Sequence, residues 1–217
     1  LRDQPDAWRD YYFNTVLLLA FLSMPLACWL YLVASPLVFI LLGESWAGVA
    51  PLFSILAIVC FIQPSSSMGG SVMLSLGRSR PYFLVGTFNA IVVSLGFLVG
   101  VQWGAKGVAW SYVCTSYLLL LPTLMMNYRG SCLKIRDFFQ VIAFPAVLNI
   151  TCLLFVTGLE RMVPQALPSA TPWLEITVKS AWFFSLWAAV LFFSRPGMRL
   201  LVQAKGMVSL LFKAKTT

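Results

Sequence analysis

The chain contains no histidine. Imidazole is the commonest general base near neutral pH and the commonest metal ligand, so its absence removes the usual routes to acid–base catalysis and to a His-ligated metal. Carboxylates are scarce as well, seven in 217 residues. Asp3, Asp6 and Asp10 sit at the N-terminus and Asp137 lies beside a basic loop, while no apolar run carries an acid in its interior. Sodium- and proton-coupled carriers usually keep such an acid within the membrane, so any ion-coupling site is expected in sequence outside this chain. No Ser–base constellation, phosphate-cradling glycine loop or metal-ligand spacing is present either. The chain therefore reads as neither an enzyme nor a cofactor protein. Its five cysteines, Cys28, Cys60, Cys114, Cys132 and Cys152, show no paired spacing and read as small apolar fillers.

What remains is oil. Sixty percent of the residues are hydrophobic and only 10% are charged, with a mean hydropathy of +0.87. A core of this size cannot hide that much apolar surface from water, which implies an integral membrane protein. A crossing needs ~20 mostly apolar residues. Six such runs occur, at roughly 14–42, 49–75, 82–102, 107–127, 138–159 and 173–194. Runs this long satisfy their backbone groups in lipid only as helices, and they lack the short alternation of barrel strands. The expected fold class is all-α: a polytopic membrane helix bundle with six predicted transmembrane helices.

The net charge of +8 is placed by topology. Arg2, Arg9, Arg78, Arg80, Arg129, Lys134, Arg136 and the tail cations from Arg195 onward put twelve of the fifteen basic residues on one side of the alternating runs. The other side has Lys106, Arg161 and Lys179, with Glu44, Glu160 and Glu175. By the positive-inside rule both termini are cytoplasmic. A nucleic-acid partner is not expected. The opening LRDQPDAWRDYY is polar, begins with Leu1 and lacks a signal pattern, so it reads as the inside of a loop in a longer protein.

Several local features add detail. Pro25 and Pro36 lie in a first run long enough to require tilt or a bend, and Gly43 with Trp46 marks its end and an interfacial anchor. In CFIQPSSSMGGSV, residues 60–72, Gln63, Ser66, Ser67 and Gly70 share one helical face and Pro64 removes a backbone donor beside them. Such a stripe faces either a packed neighbour or a hydrated path. In the third run Gly86, Asn89, Val93, Gly96 and Gly100 form a second stripe, which suits close helix approach or, at Asn89, a view of a substrate. Glu175 and Lys179 are spaced as a helical ion pair. The tail beyond Arg195 mixes cations with Met198, Leu201, Val202 and Leu211, as a segment lying on anionic membrane lipid does.

The ordered segments MPLACWLYLVASPLVFILLGESWAGVAPLFSILAIVCFIQP, LSLGRSRPYF and WGAKGVAWSYV resemble the C-terminal half of polysaccharide flippases in the multidrug/oligosaccharidyl-lipid/polysaccharide superfamily. The likeness is nearest to the lipopolysaccharide and colanic-acid repeat-unit branch. The marks are Pro25 within a span, the Leu42-Gly43-x-x-Trp46 end, the Gly77-Arg78 turn, and the start at Gly104, Gly107, Val108 and Ala109. The resemblance covers roughly residues 1–127. It implies most of the second lobe of a two-lobe transporter (1–127, a four-helix part), followed by a connector, two added helices and a basic tail (128–217).

It further implies alternating access around a hydrated cavity and movement of polyprenyl-pyrophosphate-linked oligosaccharide across the bacterial inner membrane, for exopolysaccharide or lipopolysaccharide synthesis. The implied partners are that lipid-linked oligosaccharide, anionic lipids, the missing N-terminal half, and a glycan polymerase or glycosyltransferases. On this reading Gln63, Ser66, Ser67 and Asn89 line the substrate path, Arg78 and Arg80 stand at the cytoplasmic mouth, and Pro25, Pro36 and Pro64 act as hinges. Family cavities often carry basic residues, and the first four spans here contain none. A multidrug or small-solute exporter of the same superfamily and a non-transporting scaffold for glycan assembly are the alternatives.

Overall fold

The computed structural model describes residues 5–162 and 171–193. Among them there are six α-helices: α1 (Pro5–Leu42), α2 (Ala50–Ser75), α3 (Ser79–Gly100), α4 (Gly104–Tyr128), α5 (Ile135–Met162) and α6 (Pro172–Phe193). Short 3₁₀ turns at Glu44–Val49 and Val101–Trp103 join the first and third pairs. The expected amphipathic tail lies outside the described residues. All six apolar runs are helical, and α1 starts at Pro5 rather than near 14 because Tyr12, Phe13 and Val16 are buried as its first core turns.

Among the described residues, five helical segments are long and apolar enough to cross a membrane. One of these, Ser79–Tyr128, is 50 residues long and folds back on itself. Gly104, at φ +70°, takes a left-handed conformation closed to most side chains and starts α4 in a new direction. Asn89 then faces Thr123, Phe97 faces Tyr112, and Gly100 lies against Gly107. Those pairs descend one helix as they climb the other, so α3 and α4 form an antiparallel hairpin. At the α2 end, Gly77 (φ +71°) lets the Arg78 N–H reach back to the Met73 carbonyl at 2.9 Å, closing the exposed last turn.

α1 is the axis of the bundle, packing on α2, α5 and α6, while α2 packs on α4 and α4 on α3. Val16, Ala20, Met24 and Val33 of α1 are fully buried. The helices alternate in direction, which gathers Arg9, Arg78, Arg80, Arg129, Lys134 and Arg136 at one end of the bundle. The other end carries Glu44, Lys106, Glu160, Arg161, Glu175 and Lys179, with Trp46, Trp103 and Trp173 exposed around it as an aromatic rim.

Pro25, Pro36 and Pro64 all lie inside unbroken helices. A helical proline frees the carbonyl four residues before it, and in lipid that carbonyl needs another donor. For Pro36 the carbonyl is that of Leu32, and the Lys179 ammonium of α6 donates to it at 3.4 Å.

Candidate functional site

A cavity of about 370 Å³ opens between α2, α3 and α4. Gln63, Ser66 and Ser67 line it from α2, and Asn89 lines it from α3, so the two stripes legible in the sequence face the same space. The α3 stripe divides along its length. Gly86, Asn89 and Val93 border the cavity, whereas Gly96 and Gly100 pack on Thr115, Ser111 and Gly107 of α4.

The two glycines of the MGG segment serve close approach rather than the cavity wall alone. A side chain at Gly69 would collide with the amide of Asn127, and one at Gly70 with the ring of Tyr82, at 2.7 Å in each case. Glycine thus brings α4 and α3 onto the α2 backbone just beneath the serines.

α4 supplies the third wall through Tyr112, Ser116, Thr123 and Asn127. These were not singled out from the sequence, yet at ~100° per residue they fall within about 60° of one another on the helix. That phase relation was the available signal, diluted by the intervening Leu119, Leu120 and Leu124, which line the same cavity.

The polar wall is partly self-satisfied. Asn89 Nδ2 donates to Thr123 Oγ1 at 3.1 Å, and the Thr123 hydroxyl lies 3.2 Å from Asn89 Oδ1. Gln63 Nε2 donates to the Tyr112 hydroxyl at 3.3 Å. Ser66 and Ser67 donate to the carbonyls of Gln63 and Pro64, at 3.0 and 2.7 Å, which leaves their oxygens as acceptors. Asn127 is 4% exposed and its Oδ1 has no hydrogen-bond partner.

The two arginines expected at the mouth stand elsewhere than in this lining. Arg78 donates through Nη1 to the Arg129 carbonyl and covers Gly130, tying the α2–α3 turn to the α4–α5 turn. Arg80 is exposed at the start of α3 beside Phe83 and Leu84, at a shallow surface depression. Nearby, Arg9 pairs with Asp137 and lies over the Phe13 ring, and the Tyr12 and Tyr128 hydroxyls meet at 2.9 Å.

At the opposite end the expected Glu175–Lys179 pair forms at 2.7 Å and gains a second carboxylate, Glu160 of α5, at 3.3 Å. Among the described residues no group of three or more His, Cys, Asp or Glu is placed to hold a metal.

Comparison with known proteins gives two similarities. Residues 1–51 match the family described as polysaccharide biosynthesis protein. Over 143 residues the chain is 28% identical to the teichuronic acid biosynthesis protein TuaB of Bacillus subtilis (strain 168), covering 65% of this chain and 29% of that protein. The chain thus spans under a third of the length of that curated relative. No solved structure matches it.

Proposed function

We propose that this chain forms most of one lobe of a flippase that carries polyprenyl-pyrophosphate-linked oligosaccharide from the cytoplasmic to the periplasmic leaflet during polysaccharide synthesis. Supporting observations are the similarity to proteins of polysaccharide and teichuronic acid biosynthesis and a set of helices apolar enough to cross a membrane. The single observation that carries the reading is the cavity: three successive helices turn Gln63, Ser66, Asn89, Thr123 and Tyr112 toward one space. Lipid penalises such groups, whereas a hydroxyl-rich cargo pairs with them.

In this reading α3 and α4 each cross the membrane, giving six crossings. The end bearing Arg9, Arg78, Arg129 and Lys134 is cytoplasmic, in a bacterial inner membrane. The opposing lobe, supplied by sequence outside this chain, completes the cavity. Glycan polymerases or glycosyltransferases act on the same cargo before or after it crosses.

The test is to delete the full-length gene in its host and assay lipid-linked oligosaccharide on the cytoplasmic leaflet. Accumulation cleared by the wild-type gene, and not by Gln63→Leu with Asn89→Leu at equal protein level, is the expected result. Absence of lipid-linked glycan on deletion means the protein acts earlier and overturns the proposal.

A further inference from the structure

We infer that the α2–α3–α4 cavity is a subsite for an electrically neutral sugar unit oriented by Asn127, and that the charged part of the cargo is held elsewhere. This rests on the flippase reading and adds to it the chemical class of what occupies this lobe.

None of the eighteen lining residues is charged. A uronate or a pyrophosphate held against this wall gains no counter-charge from α2, α3 or α4, so a charged group is better paired by the part of the protein that closes the cavity from the other side. A neutral sugar brings hydroxyls that both donate and accept, together with apolar ring faces. The lining offers a matching mixture of amides and hydroxyls beside Val85, Leu119 and Leu124. This lobe's share of the cavity, about 370 Å³, lies at the small end of ligand pockets, ~300–1,000 Å³, and so has room for one or two sugar units rather than a whole repeat unit.

Within that wall the protein satisfies most of its own polar groups, as described above. Asn127 differs: its carbonyl oxygen is buried and unpartnered. A buried acceptor without a donor carries its full desolvation cost, and because this oxygen is closed off as the side chain stands, a ligand donor removes that cost when the amide turns it toward the cavity. The stem of the side chain is also held in place. A methyl group at Gly69 would stand 2.7, 3.3 and 3.4 Å from Asn127 Nδ2, Cβ and Cγ, so the side chain rests directly on the α2 backbone. Asn127 is thus the binding residue and Gly69 the positioning one.

The test uses the full-length protein in its host, with lipid-linked glycan labelled metabolically by tritiated sugars. A photoreactive benzoylphenylalanine replaces Tyr112 in the cavity wall, and in a control replaces Leu118, which is 71% exposed on the outer face. Irradiation is expected to attach label at position 112 and not at 118, with a neutral hexose or N-acetylated amino sugar at the attachment point. Asn127→Leu and Gly69→Ala should each cut that yield about tenfold, the worth of one buried hydrogen bond.

An adduct through a uronate, a phosphate or the polyprenyl chain overturns the neutral-sugar assignment. Unchanged yield in Asn127→Leu overturns the role of Asn127. No adduct at 112 while the host glycan still crosses overturns the subsite and leaves the flippase reading standing. That reading fails separately, in the deletion strain. If Asn127→Leu does not reach the membrane, the chemistry of the adduct on protein with native Asn127 still decides between neutral and charged sugar.

Discussion

Asn127 of α4 sits where Gly69 of α2 has no side chain, its amide nitrogen 2.7 Å from the place a methyl group would take. Both residues are buried, so an added methyl group is admitted only if the Asn127 amide shifts toward the cavity it lines. Gly69→Ala is expected to destabilise the protein by about 1–3 kcal/mol, the usual cost of overpacking. Gly158→Ala is the control, since nothing lies within 4 Å of the added methyl. There the lost backbone freedom of glycine should stabilise by about 0.5–1 kcal/mol. Thermal unfolding of the purified full-length protein in detergent measures both, and equal midpoints for the two variants would refute the close-contact account.

The α3–α4 hairpin depends on backbone meeting backbone. A methyl at Gly100 would stand 2.7 Å from the Gly107 carbonyl oxygen and 2.9 Å from its carbon, atoms that cannot rotate away. Gly100→Ala should therefore cost more than Gly69→Ala, about 3 kcal/mol or more, and open the hairpin near its turn. Gly96→Ala meets the Thr115 methyl at 2.7 Å, a side-chain atom, and should be milder. The order Gly100 worse than Gly96, read from detergent melting curves, is the check.

At the basic end, the hydroxyls of Tyr12 and Tyr128 share one hydrogen bond at 2.9 Å inside a core of Phe13, Leu124 and Phe138. Removing one hydroxyl strands the other. Tyr12→Phe alone should cost about 1–2 kcal/mol, while Tyr12→Phe with Tyr128→Phe should recover most of that loss, because no buried polar group is left unmatched. A double variant less stable than both single variants would show that these hydroxyls act independently.

Much of this arrangement was legible in the sequence because lipid makes the rules strict. Long apolar runs had to be helices, and the phases of Gln63, Ser66, Ser67 and Asn89 followed from helix geometry. Their convergence on one cavity did not follow, because it depends on the azimuth at which α3 and α4 pack, set by Gly96–Thr115 and Gly69–Asn127 contacts far apart in the chain. The arginines illustrate the converse. Arg78 is a cation at a turn in any reading, but its grip on the Arg129 carbonyl needs a turn 51 residues away. Likewise the Glu175–Lys179 pair was local, whereas Glu160 and the Leu32 carbonyl reach Lys179 only through the packing of α1, α5 and α6.

That cluster yields its own prediction. The Lys179 side chain is 11% exposed and faces two carboxylates, which are 25% and 32% exposed. Lys179→Met leaves Glu160 and Glu175 without their shared cation and the Leu32 carbonyl without a donor. The expected loss is about 2 kcal/mol, below the ~3–5 kcal/mol of a fully buried pair because the carboxylates keep some water. Adding Glu175→Gln to Lys179→Met removes the repulsion and should return part of the loss. If the second substitution lowers stability further, the carboxylates are not held together by Lys179.

The last prediction concerns direction across the membrane. The turn Val101–Trp103 and the loop after Tyr128 lie at opposite ends of α4, and the second carries Arg129, Lys134 and Arg136. Positive loops are retained in the cytoplasm, so a reporter active only in the periplasm should be active when fused after Trp103 and silent when fused after Arg136. Reversing Arg129, Lys134 and Arg136 to Glu weakens the bias without touching the cavity, and the fusion after Arg136 should then gain activity. Activity after Arg136 in the unaltered sequence would place the basic end outside, and would remove Arg78 and Arg80 from any role at a cytoplasmic entrance.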